Sequence, residues 1–200
     1  MSINFARLLA VIGTCSMIIS ACGTMSSADF SKLPVEMVQA DFAIDVSDPR
    51  EVVGFADYYF IADVESAEPV KENGLSEAIK SESTGALPYT AIRATVLQNI
   101  KGTLPTDKPI NFYKAGGVST DGKTLMLYAN DTLPEVGNIY AFTAVAQADG
   151  SLLVSGPNSN VQIDTDQKMI AGASFLSEYE ENYKNEITYE RERFSYKGEN

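Results

Sequence analysis

Between residues 58 and 155 the side chains change character at every second position over and over again, a period that strands satisfy and helices do not. Tyr58, Phe60, Ala62 and Val64 share one face of the first run, with Tyr59, Ile61 and Asp63 on the other. The next run sets Thr90, Ile92, Ala94 and Val96 against Tyr89, Ala91, Arg93 and Thr95, and Lys101-Gly102 closes it. Residues 109–114 carry Ile110, Phe112 and Tyr113, and residues 124–129 carry Leu125, Met126, Leu127 and Tyr128. Asp121-Gly122 lies between those two runs, and Asp149-Gly150 lies between the runs at 139–146 and 152–155. Both dipeptides are favoured in type I′ hairpins. Short strands at this spacing predict a mainly β chain, a single small antiparallel barrel or sandwich rather than βαβ units.

The flanks predict less regular structure. Residues 33–46 are open between strand and loop, because Val35, Met37 and Val38 follow no clear period. Asp48-Pro49-Arg50-Glu51 offers a capping acid, a proline for the first helical position and a glutamate three residues after the cap, so a short helix runs through Val52, Val53 and Phe55. Residues 68–88 hold two prolines, two glycines and many Ser, Glu and Lys. They form a long excursion between strands, with a helical turn near Ser76 to hold part of it; the excursion is either a contact surface or a solvated acidic loop. Val161 and Ile163 suggest a last short strand. Ser177-Glu178-Tyr179-Glu180 has the form of a capping box, and Phe175, Tyr179 and Tyr183 recur every four residues, which predicts a C-terminal amphipathic helix packed on the barrel. Glu190-Arg191-Glu192-Arg193 belongs to a solvated tail or an edge-strand extension. The division expected is a leader at 1–21, a stalk at 22–33, the barrel with its helix at 34–187 and a charged tail at 188–200.

Composition removes whole classes of chemistry. The chain has no histidine, so Ser-His-Asp, Cys-His and His-zinc centres cannot be built within it. A formal net charge of −12 repels phosphate backbones and anionic headgroups, which argues against nucleic acid as a partner. Asp164-Thr165-Asp166 begins like a calcium loop, but Lys168, Met169 and Phe175 stand where a ligand, a glycine and a closing glutamate are required. Asp63, Glu65, Asp164 and Asp166 are the acids considered for a weak cation, and no metal, cofactor or catalytic residue is assigned. No Gly-x-Ser-x-Gly elbow, phosphate-binding glycine loop or Ser-x-x-Lys occurs.

The amino-terminal stretch is apolar over residues 8–19, short of the roughly twenty residues a spanning helix needs, and it ends in Ile19-Ser20-Ala21-Cys22. A short apolar run before a small-residue site ending in cysteine resembles the lipobox of bacterial lipoproteins, although Arg7 gives only a thin positive start. The resemblance implies that Cys22 takes a diacylglycerol thioether, becomes the new amino terminus and is open to N-acylation. Two or three acyl chains hold a domain firmly to a membrane, at about 0.8 kcal/mol per buried methylene. It also implies an extracytoplasmic domain on the cell membrane or the outer membrane; Gly23 lacks the aspartate that often marks inner-membrane retention in such families. The only other cysteine, Cys15, would leave with the leader, so the mature chain would have no disulfide.

Ala56-Asp57-Tyr58-Tyr59-Phe60, Val96-Leu97 with Lys101-Gly102, and Gly137-Asn138-Ile139-Tyr140 together resemble small extracytoplasmic OB-type barrels, including tissue-inhibitor and netrin modules. The resemblance covers about half the chain and implies a fold more than a task. Inhibitory members act through a disulfide-bonded amino-terminal cysteine, so that activity does not carry over to a lipidated Cys22. Tyr58, Tyr59, Tyr89, Tyr113, Tyr128 and Tyr140 fall on expected strands, either as rim residues or as an aromatic patch for sugars or peptides. The functional expectation is a membrane-anchored, non-enzymatic binding or interaction module whose partner is an envelope protein, peptide or glycan. The alternatives are a carboxylate-dependent hydrolase of envelope polymers and a purely structural envelope component.

Overall fold

A computed structural model describes residues 30–71, 74–75, 77–82, 87–163 and 173–198. The described residues begin with a 3₁₀ turn, Phe30–Lys32, and a strand β1, Val35–Val38, followed by helix α1, Pro49–Phe55. The barrel strands are β2 (Tyr58–Pro69), β3 (Tyr89–Lys101), β4 (Ile110–Ala115), β7 (Ile139–Ala146) and β8 (Leu152–Val154). Each pairs with the next in the order β2, β3, β4, β8, β7, and β7 returns to β2, which closes the sheet. Closure removes the open edges on which strands aggregate. The order is that of an OB-like barrel, with one amendment to the antiparallel expectation: β4 and β8 run parallel, Tyr113 opposite Leu153. Strand β9, Asn160–Gln162, continues along the edge of β7 beyond β8.

The barrel interior is filled by the period-two faces. Phe60, Phe112 and Phe142 meet at its centre with ring centroids 5.0 to 5.9 Å apart. Strand β2 is buried on both faces, since Tyr59 and Ile61 point outward into a second cluster with Val53 of α1 and with Leu176 and Tyr179 of the C-terminal helix α3, Ala173–Lys184. Helix α3 thus packs on the barrel through Tyr179 of the expected stripe, joined by Leu176, whereas Tyr183 is 38% exposed and the Phe175 side chain lies outside what is described. The helix starts at Ala173, however, so Ser177 lies inside it and is no cap. In α1 the cap is Asp48, whose carboxylate accepts from the Arg50 N–H at 2.9 Å. Glu51 does not reach back to the cap; it accepts from the Asp45 N–H at 2.8 Å instead.

Three local expectations need correction. Asp121-Gly122 does not join β4 to its neighbour: the turn links two-residue β5, Gly117–Val118, to β6, Leu125–Tyr128, and β6 pairs in parallel with β1 to make a separate three-stranded sheet. Neither Asp-Gly pair is a type I′ turn, because among the described residues only Asn130, Asn158 and glycines have positive φ. Around Asp149 the Gly150 N–H donates to the Gln147 carbonyl at 2.8 Å and Gly150 takes φ +91°, a type I turn completed by a left-handed glycine. In the excursion at 68–88, strand β2 runs on to Pro69 and a short helix α2, Glu77–Glu82, sets Ile79 fully buried beside Tyr89 and Ala115, so part of that excursion is packed.

The ends of the described chain are also docked. Phe30, inside the stretch read as a stalk, packs on the barrel core. Beyond α3, residues 185–198 run as a strap rather than as a solvated tail or a strand. Arg191 donates from Nε and Nη2 to the Phe55 carbonyl at 2.9 and 2.8 Å, and Arg193 donates to the carbonyls of Ala56 and Gly54 at 2.9 and 2.8 Å. Those are the carbonyls that a helix leaves without partners at its carboxyl end. Asp57, its side chain only 6% exposed, lies 2.7 Å from Arg191 and 3.0 Å from Arg193 and also accepts from the Ala146 N–H at 2.9 Å. Alternation explains the arrangement: Arg191 and Arg193 turn to the barrel, while Glu190 and Glu192 face solvent.

Candidate functional site

Strands β3 and β4 turn one face inward and leave Ala91, Arg93, Asn111 and Tyr113 on the other, where the register sets Ala91 opposite Tyr113 and Arg93 opposite Asn111. That outer face is the floor of an open cleft of about 540 Å³. Ser66 and Glu68 at the far end of β2 form one side, the loop bearing Asp149 and Ser151 forms another, and Tyr196 and Gly198 of the strap complete the border. In OB-type barrels the equivalent strand pair and its flanking loops hold oligomeric ligands, and here one such loop, at 147–151, borders the cleft.

A register shift between Val64 and Ser66 creates a bulge that re-aims Glu65 over β3. There its carboxylate accepts from Thr95 Oγ1 at 2.5 Å and from Arg93 Nε at 3.0 Å. The Arg93–Glu65 pair is roughly half exposed and contributes at most about 1 kcal/mol, so its role is to orient the arginine along the floor. Tyr113 donates from its hydroxyl to the Gly74 carbonyl at 3.2 Å, which ties the floor to the excursion after β2. Asp149 accepts from the Ser151 N–H at 2.9 Å and hydroxyl at 2.7 Å, which stiffens the loop wall. The cleft is therefore mixed, polar and apolar surface in similar measure, with acids at two edges and its one arginine already paired.

The six tyrosines do not converge. Tyr113 alone borders this cleft. Tyr58, Tyr59 and Tyr140 are buried, and burial pushes the Tyr59 phenol far above its ordinary range. Tyr89 and Tyr128 line a separate cavity of about 480 Å³ between residues 41–46 and the strap, where the Phe42 and Tyr128 rings meet edge to face at 5.3 Å. Of the acids considered for a cation, Asp63 sits half-buried on β2 and Glu65 is engaged as above, whereas Asp164 and Asp166 fall outside the described residues. Among the described residues no three potential ligands gather. Cys22 and the whole leader also fall outside the described residues.

The sequence reading missed Asn111 and Tyr196 as cleft residues, took Asp149 only as a turn former, and missed a buried ion pair. Lys114 follows Ile110 and Phe112 on the inward face of β4 and meets Asp131 at 2.5 Å, with side chains 0% and 1% exposed. Burial holds the Lys114 ammonium below the usual lysine range and pushes the Asp131 carboxyl up, each opposed by its partner. The signal was present, since a lysine at an inward position of a strand requires a buried acid. No protein-family model matches this chain, and no curated protein matches it.

Proposed function

We propose that this chain is a lipid-anchored binding module of the cell envelope that holds an extended polymer in the β3–β4 cleft without transforming it. The observation that carries the reading is the cleft itself: a floor of mixed polarity on two barrel strands, walled by the end of β2 and by the loop at Asp149 and fixed by Glu65, Asp149 and Tyr113. The histidine-free composition and the turn-forming role of Asp149 favour binding over catalysis. The lipobox at Cys22 motivates the anchor. Among the described residues no helix is long and apolar enough to cross a membrane.

Screening the full chain against envelope peptides and oligosaccharides tests the cleft. Binding should fall about tenfold in Tyr113→Ala, the loss of one aromatic contact and its hydrogen bond; binding that survives this change and Asn111→Ala would remove the cleft from the reading. Membrane fractionation of Cys22→Ala tests the anchor, with release from the membrane or arrest as unprocessed precursor expected, and normal processing with full retention refuting it. A hydrolytic reading retains one supporting observation, that Glu68 and Asp149 border the same cleft. It requires polymer cleavage that Glu68→Gln abolishes.

A further inference from the structure

One wall of the cleft is made by the chain itself, and its chemistry shows what the site accepts. Lys197 donates its backbone N–H to the Gly150 carbonyl at 3.2 Å and its ammonium to the Ala148 carbonyl at 3.2 Å. Its stem lies flat on Gly150, where a Cβ would stand 2.5 to 2.7 Å from three of its carbons. The Tyr196 N–H donates to the Tyr58 hydroxyl at 2.9 Å and its ring packs on the barrel core, while Gly198 continues along the cleft. The loop at 147–151 is therefore shaped to receive an extended backbone carrying a lysine, with glycine at the one position where the lysine stem passes.

We infer that the partner held in the cleft is an extended, lysine-bearing peptide, and that Lys197 and Gly198 occupy part of that partner's place when it is absent. The inference rests on the binding reading above and supplies its ligand class. Charge supports it, since Glu68 and Asp149 border the site, Arg93 is neutralised by Glu65, and the chain as a whole carries −12. Anchorage supports it too. The strap up to Tyr196 is fixed, by the carbonyls at the end of α1, by Asp57 and by the Phe194 and Tyr196 rings on the core, whereas Lys197 is exposed and held by two long hydrogen bonds, so the outer part can leave while the inner part stays. A tethered segment competes at an effective concentration of the order of millimolar, enough to lower an added peptide's apparent affinity substantially.

The test measures binding of a labelled peptide with the sequence of residues 193–200 to the full chain, to Lys197→Glu and to a chain ending at residue 196. Both changed chains should bind the peptide roughly tenfold more tightly than the unchanged one, and a peptide with alanine for lysine should lose roughly tenfold on all three. Thermal melting checks that the shortened chain folds; if it does not, Lys197→Glu, which keeps Tyr196 on the core, decides alone. Equal affinity for released and unreleased chains, or indifference to the lysine, overturns the inference while leaving the cleft reading to the Tyr113→Ala result. Oligosaccharide binding that appears on release in place of peptide binding would keep the site and overturn the partner class.

Discussion

Replacing Lys114 with methionine isolates the ion pair that the barrel encloses. The change keeps most of the side-chain volume and removes the charge, so the packing of β4 against Thr90 and Val154 is nearly preserved. What remains is an Asp131 carboxylate, 1% exposed, whose surviving hydrogen bond comes from the Thr132 N–H at 2.8 Å. Breaking a buried pair from one side costs about 3–5 kcal/mol, because the remaining charge has neither water nor partner. For a domain of this size each kcal/mol moves the melting temperature by about 2–4 °C, so a fall of roughly 6–20 °C is expected. Replacing both partners, Lys114→Met with Asp131→Leu, should recover most of the loss, since apolar side chains of similar volume can replace a buried pair at little cost. The pH dependence gives a further check. Asp131 is held above its ordinary value of 3.8 by burial, so the stability it contributes is full below that value and is lost as pH rises through the folded value. Without Lys114 that folded value rises further, and the deficit of the single variant should be largest near neutrality and shrink in acid. Urea and thermal unfolding followed by circular dichroism would measure all three chains. A single variant within about 1 kcal/mol of the parent, or a double variant no better than the single, would refute the reasoning.

Helix α1 and the strap meet so closely at Gly54 that a Cβ there would land on the Ile187 carbonyl. Gly54→Ala should therefore destabilise by about 1–3 kcal/mol and expose the strap to proteolysis, although helix propensity alone favours alanine by about 1 kcal/mol; a more stable variant with a protected strap would show that the contact yields. Tyr189 donates its hydroxyl to the Glu51 carboxylate, which pushes the phenol from 10.0 up to about 12. A raised value means that this contact stabilises fully below pH 10 and is lost as pH rises toward 12. Ultraviolet titration of the parent against Tyr189→Phe should show one late-ionising tyrosine missing from the variant, and loss of an ordinarily ionising tyrosine in its place would put the hydroxyl in solvent.

How much of this was legible depends on how local each cause is. The inward faces of β2, β3 and β4 follow from alternation along a few residues, and Asp48-Pro49 caps α1 through groups two residues apart, so both could be read directly. Leu176 and Tyr179 reach the barrel because a helical stripe needs an apolar surface to cover, and Tyr59 and Ile61 supply one. The turn at Asp121 was legible as a turn but not as a link between particular strands, because which strands pair is decided by partners distant in sequence. Strand β1 was equally unreadable, its exposed Val35 and Met37 following no period and its partner strand β6 lying far along the chain.

The sequence by itself determined that the chain forms a β-rich core, that no histidine chemistry is open to it and that a helix packs near its carboxyl end. Only the tertiary structure decided the rest. Barrel closure aligns Arg93, Asn111 and Tyr113 beside a loop from the far side of the chain, brings Asp131 to Lys114, and lays Arg191 and Arg193 on the carbonyls of α1. Each of these contacts joins residues well apart in sequence, and its energy comes from excluding water between surfaces that meet only when the barrel has closed. The residue pattern specifies each surface; the fold specifies which two surfaces meet.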